Sequence, residues 1–167
     1  MALMWVVACS GCATRAAKGP NFLFLLADDQ RADTISALGN PYIQTPHLDQ
    51  LAGGGFAFTR AYYMGSQIQG VCVPSRAMML TGRGLFEAPQ RRDWREIPRG
   101  DSMWPEVLRA GGYKTIGIGK WHNDYGSYTR AFSAGGPVFL GGMGDHTHLS
   151  VSDYDSVHGL HNLHVAN

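Results

Sequence analysis

The thiol of Cys72 opens the run Cys72-Val73-Pro74-Ser75-Arg76, and Thr81-Gly82-Arg83 follows four residues later. Pro74 has a fixed φ and no N–H, which suits the first turn of a helix. The spacing therefore predicts a helix that starts just after Cys72, runs through Ala77-Met78-Met79-Leu80 and stops at Gly82. A helix start presents unbonded N–H groups and the positive end of the helix dipole, and Arg76 adds a planar fork of donors. The chemistry is that of a cradle for a tetrahedral oxyanion beside a sulfur atom. An ordinary thiol packed against a Met-rich helix is the other reading of the pentapeptide.

Asp28-Asp29 is a second candidate, because adjacent carboxylates need a cation and hard divalent ions take oxygen ligands. On its own such a pair also reads as a helix cap plus a surface acid. Lys120 and His122, in Gly119-Lys120-Trp121-His122, form a third. In an extended chain residues two apart share a face, which would point both at one site. Histidines recur near the end as His146, His148, His158, His161 and His164. The first two have the spacing of a strand-borne metal pair, and the last three could share a helix face.

The elements that must position these groups alternate in type. Phe22 to Ala27 is a continuous apolar run, as expected of a strand buried on both faces, and it delivers Asp28 and Asp29 at its carboxyl end. Thr45 to Ala52 reads as a helix with a Thr cap and Pro at its start, ended by Gly53-Gly54-Gly55. Phe56 to Tyr62 is strand-like. Residues 87–103 are charged and irregular; Trp104 to Ala110 is a helix stopped by Gly111-Gly112; Tyr113 to Gly119 is a second buried strand ending at Lys120 and His122. The alternation predicts an α/β fold.

The pattern C-x-P-S-R-x4-T-G resembles the signature of the type I sulfatases, whose Cys is oxidised after translation to formylglycine. Val73 stands where the family usually has a smaller residue. Asp28-Asp29-Gln30, Thr45-Pro46-His47-Leu48-Asp49-Gln50-Leu51-Ala52 and Gly119-Lys120-Trp121-His122 are further matches in the family's order. The resemblance implies an alkaline-phosphatase-like α/β sandwich with a largely parallel sheet. It further implies Ca2+ (or Mg2+) held by Asp28, Asp29 and an oxygen on residue 72. In the implied reaction one hydroxyl of the hydrated aldehyde attacks sulfur, and the second expels sulfate from the resulting hemiacetal. Arg76 would hold the formylglycine region, Lys120 would bind a sulfate oxygen, and His122 would hydrogen-bond the diol and assist its proton transfers. The segment Gly141-Gly142-Met143-Gly144-Asp145-His146 lies near the substrate pocket in related sulfatases, making His146 a candidate substrate contact. The family's remaining metal ligands lie downstream of residue 167, so the expectation is the N-terminal part of a catalytic domain. A phosphonate or phosphate ester hydrolase of the same kind, and an inactive remnant of a sulfatase, are the alternatives.

The 167 residues carry 14 Lys and Arg against 13 Asp and Glu, a balance that does not point to nucleic acid. Arg91, Arg92, Arg95 and Arg99 make one local basic patch, read as a solvated loop or as an electropositive rim for an anionic substrate. Residues 1–20 read as an export segment and linker, too short in its apolar part to span a bilayer. Within it, Val6-Val7-Ala8-Cys9 looks like a bacterial lipobox, so export to the periplasm or cell envelope with a lipid anchor at Cys9 is expected. Residues 21–155 are assigned to the sulfatase-like domain, and 156–167 remain a tail with no counterpart. The implied partners are a sulfated small molecule or glycan and a formylglycine-generating maturation enzyme.

Overall fold

The computed structural model describes residues 19–31, 33–66, 71–87, 95–142, 145 and 147–166. The chain divides into two compact units at Arg31/Ala32. The lipobox and Cys9, Arg91, Arg92 and His146 lie outside the described residues.

In the first unit residues 19–27 have neither helix nor sheet pairing, and Asp28 and Asp29 form a bend. The expected buried strand over Phe22–Ala27 is therefore not found. Phe22 is 61% and Leu23 84% exposed. An apolar run states that a segment seeks cover, but not which strands supply it, and no ladder forms along this one among the described residues.

The second unit is α/β. After a single 3-10 turn at Ser36–Leu38 come α1 (Pro46–Gly54), α2 (Cys72–Thr81), α3 (Trp104–Ala110), β1 (Ile116–Lys120), α4 (Tyr125–Ala131), β2 (Ala134–Phe139), β3 (Leu149–Asp155) and β4 (Gly159–Ala166). The sheet order is β1-β2-β3-β4. β1 pairs with β2 in parallel across α4, whereas β2·β3 and β3·β4 are antiparallel. The α/β class expected from the sequence thus forms, with parallel pairing confined to one crossover among the described residues. The segment from Ser156 onward supplies a tight turn and β4.

Two local readings change. Thr45 occupies the N-cap of α1 but does not cap it. Its Oγ1 instead accepts from the Ser36 N–H (2.9 Å) and donates to Asp49 Oδ1 (2.8 Å), tying the 3-10 turn to the helix. Phe56–Tyr62 is not a strand, and Phe56 is 96% exposed; its aromatic, β-prone composition finds no ladder partner among the described residues.

The core lies where α2, α3 and α4 meet the sheet, built from Leu80, Ile97, Met103, Trp121, Tyr128, Ala131, Val138 and Tyr154. Trp121 meets Tyr128 and Phe132 edge to face at 5.4 and 5.5 Å. At the far end of α4, Arg109 Nη1 donates to the carbonyls of Thr129, Arg130 and Phe132, placing a cation on the negative end of the helix.

β1 departs from the buried strand expected there. Ile116 and Ile118 are exposed, and the covered position between them is Gly117. The reason is close approach. A Cβ on Gly117 would fall 2.6 Å from the Phe132 ring, and one on its partner Gly135 would fall 2.0 Å from Tyr128 Oη and 2.2 Å from the Gly117 carbonyl. The space left by the two glycines lets the buried Tyr128 phenol donate to the Gly117 carbonyl at 2.9 Å. Burial raises the Tyr128 pKa far above the ordinary phenol value, so the group stays a donor. Gly135→Ala is expected to cost about 1–3 kcal/mol by overpacking, measurable by chemical denaturation; an unchanged midpoint would refute this packing account.

Candidate functional site

The site residues of the second unit are carried by α2 and by the end of β1. Cys72 is the first residue of α2, one position further into the helix than the sequence suggests, with Val71 at the N-cap. Pro74 brings no N–H, and the Ser75 N–H bonds to the Val71 carbonyl at 3.0 Å. The N–H groups of Cys72 and Val73 precede that first helical bond and must be met from outside the helix. Cys72 is a free, half-buried thiol.

Arg76 stands one turn after Cys72 on the same face. Its side chain is buried, and Nη1 donates to the carbonyl of Lys120 at 2.5 Å. This bond joins residues 44 apart and pins the first turn of α2 to the end of β1. Gly82 ends α2 in the left-handed region (φ 69°), its N–H bonded to the Met78 carbonyl at 2.8 Å. Thr81 Oγ1 turns back to the Ala77 carbonyl, and Arg83 pairs with Asp101 at 2.8 Å. The Thr-Gly-Arg half of the pattern is thus a helix stop with an anchor.

Lys120 closes β1, opposite Phe139 of β2. The chain does not stay extended beyond it: His122 has φ 64°, so strand alternation does not set its direction. Trp121 is driven into the core instead, with its N–H on the Phe139 carbonyl (2.8 Å) and its indole N–H on the Asp124 carbonyl (2.9 Å). His122 packs on Gly141, where a Cβ would fall 2.4 Å from His122 Cδ2. Gly141, at φ 115°, therefore serves both a backbone turn and the seat of the imidazole. That glycine opens the Gly-Gly-Met-Gly-Asp-His segment, so the segment touches the site through its first residue.

Asp124 is a supporting residue that the motifs alone do not single out. It caps α4 through Oδ1 to the Ser127 N–H (2.8 Å), and its Oδ2 accepts from the Ile97 N–H (3.0 Å). Buried Asn123 beside it reaches the Arg95 carbonyl at 3.3 Å. The signal in the sequence is an N-cap one, Asp124 followed three residues later by Ser127 at the start of a helix.

In the first unit Asp28 and Asp29 are exposed, and Asp29 has φ 51°, a conformation that Asp tolerates better than most residues. Adjacent carboxylates of this kind are hard oxygen donors that match Ca2+ or Mg2+.

The late histidines do not form a helix face. His158 lies in the β3–β4 turn, and His161 and His164 lie on β4 with the left-handed Asn162 (φ 50°) between them. Spacing of three reads as helical, but the antiparallel ladder to β3 claims this segment. His148 is exposed and meets Asp145 Oδ2 at 3.1 Å.

The family model described as Sulfatase matches residues 20–160. Arylsulfatase A of Bos taurus is 40% identical over 116 residues, covering 64% of this chain and 22% of its own length. N-acetylglucosamine-6-O-sulfatase of Bacteroides thetaiotaomicron is 30% identical over 122 residues (73% of this chain, 21% of the relative). An ulvan-active sulfatase of Formosa agariphila is 34% identical over 105 residues (63% and 20%). The chain thus spans about a fifth of the length of these curated relatives. With a family match that runs through both motif-bearing helix and strand, the chain belongs to the sulfatase family.

Proposed function

We propose that the protein hydrolyses sulfate esters of a small molecule or glycan, with residue 72 as the nucleophile after a maturation enzyme has converted Cys72 to formylglycine. The observation that carries this reading is the bond from Arg76 to Lys120, which couples the first turn of α2 to the end of β1. A sugar substrate is supported by relatives named for N-acetylglucosamine-6-sulfate and ulvan.

The modified residue supplies two hydroxyls on one carbon, one to attack sulfur and one to release the sulfate afterwards. Arg76 spends one donor on the Lys120 carbonyl, holding residue 72 and Lys120 in register, and keeps charge close to the anion. Lys120 binds a sulfate oxygen and offsets the charge that develops in the transition state. His122, seated on Gly141, hydrogen-bonds residue 72 and moves its protons. His146 contacts substrate.

Asp28 and Asp29, with an oxygen on residue 72, would hold Ca2+ (or Mg2+). The donor chemistry fits: two carboxylates suit a hard ion, a thiol sulfur does not, and conversion to formylglycine replaces that sulfur by oxygen. When bound, the ion favours the ionised hydroxyl and neutralises sulfate charge. We place the protein outside the cytoplasm, in the periplasm or cell envelope, with residues 1–20 as the export segment and Cys9 as its lipid anchor.

The test is turnover of an aryl sulfate and of a phosphate diester by the protein from its native host, before and after chelation. Sulfate release that exceeds phosphate release and falls on chelation is expected. Preference for the diester would favour the phosphonate or phosphate ester hydrolase, and no turnover of either would refute catalysis.

A further inference from the structure

β1 and β2 run side by side to a last rung at Lys120 and Phe139, where the Trp121 N–H still reaches the Phe139 carbonyl at 2.8 Å. Beyond that rung both chains enter the left-handed region, the first at His122 (φ 64°) and the second at Gly141 (φ 115°) and Gly142 (φ 127°). A residue other than glycine keeps such a backbone only where its surroundings over-determine it. Here the chain is held on both sides of His122. Before it, the indole of Trp121 lies in the core, edge to face with Tyr128 and Phe132. After it, Asn123 is buried and bonded to the Arg95 carbonyl, and Asp124 caps α4. The backbone of His122 is braced in this way, and what remains is the pair of torsions that aim its ring.

Gly141 bears on those torsions. A Cβ there would fall 2.4 Å from His122 Cδ2, 3.1 Å from Cγ and 3.1 Å from Cα. The edge of the ring could swing aside, whereas the Cα belongs to the braced turn. Gly142 separates this contact from backbone strain. Its φ is also left-handed, yet a Cβ on it would meet nothing within 4 Å among the described residues. Of these two adjacent glycines, both serve the turn and Gly141 serves the imidazole as well.

We infer that Gly141 is a positioning residue for sulfate ester hydrolysis and acts through His122. Its bare Cα lets the imidazole rest against the end of β2, in the orientation from which the ring serves residue 72. This role rests on the function proposed above. A side chain at position 141 would turn the ring out of its seat, and a displacement of about 1 Å is enough for a loss on the order of 10²-fold in turnover.

A double-mutant cycle on the full chain, read by aryl sulfate turnover, tests this. Gly141→Ala is expected to lower kcat on the order of 10²-fold with KM nearly unchanged. Gly142→Ala, which carries backbone strain without the imidazole contact, should cost far less. In a His122→Ala background, adding Gly141→Ala should cost little more, because the group it positions is already gone; a merely structural role would add its full loss there. In the unsubstituted protein, a nuclear Overhauser contact between Gly141 Hα and His122 Hδ2 is expected, a readout independent of turnover and of how the variants fold. Equal losses in the two glycine variants, losses that add in the double variant, or absence of that contact would overturn the role of Gly141 and leave the proposed function standing. A His122→Ala protein that turns over like the parent would instead overturn the part given to His122, and this role with it.

Discussion

Turnover of an aryl sulfate is expected to vanish in Cys72→Ala, a loss on the order of 10³-fold or more in kcat. In the proposed mechanism the side chain removed is the nucleophile itself, and neither Arg76 nor Lys120 can attack sulfur in its place. Cys72→Ser makes the sharper comparison. A serine hydroxyl can attack once, but it brings no second hydroxyl on the same carbon to release the sulfate. Product alcohol is therefore expected in a stoichiometric burst followed by arrest, with sulfate left on residue 72. Neither substitution should disturb folding much. Cys72 is half-buried in the first turn of α2, where a small polar residue is well tolerated. Mass spectrometry of the peptide around residue 72 should show the loss in mass that accompanies conversion of the thiol to an aldehyde. Active protein with an unmodified thiol there, or continuous turnover by Cys72→Ser, would sink the mechanism.

Arg76→Ala is expected to damage both the fold and the reaction. The side chain is only 9% exposed, and its charged bond to the Lys120 carbonyl joins α2 to the strand that ends the site. Losing a charged hydrogen bond and leaving a carbonyl unsatisfied costs about 2–3 kcal/mol, or roughly 5–10 °C in the midpoint of a thermal melt for a domain of this size. Freed from α2, Lys120 no longer has a fixed relation to residue 72, and a displacement of about 1 Å is enough for a loss on the order of 10²-fold in turnover. Arg76→Lys should recover part of the stability, since an ammonium can reach one carbonyl. It should recover less of the turnover, because the planar fork is gone. An Arg76→Ala protein that melts and turns over like the parent would show that the bond between α2 and β1 has no such role.

Much of the site is written in local chemistry. Pro74 and Gly82 bracket α2 through properties of single residues, a fixed φ at one end and an accessible left-handed φ at the other, so the helix is legible without any partner. The same holds for α3, which starts at Trp104-Pro105 and is braced by Glu106 Oε2 on the Met103 N–H at 3.0 Å. The run at Phe22–Leu26 and the aromatic stretch at Phe56–Tyr62 are instead patterns of demand. They register a need for cover, and the pairing that would make them strands depends on segments far away in sequence. The reading of β1 as a buried strand misleads for a related reason: the packed position is a glycine, which carries no hydrophobic signal, because its value lies in the space it leaves for Tyr128 and Phe132.

By itself the sequence determines which groups could do chemistry here and the family to which their spacing belongs, because a helix start, a helix stop and a pair of carboxylates are properties of neighbouring residues. Tertiary structure decides how these groups meet. The Arg76–Lys120 bond spans 44 positions, and His122 departs from the strand at φ 64° to rest on Gly141. Each of those contacts is fixed by packing between distant segments, whose geometry no local spacing encodes.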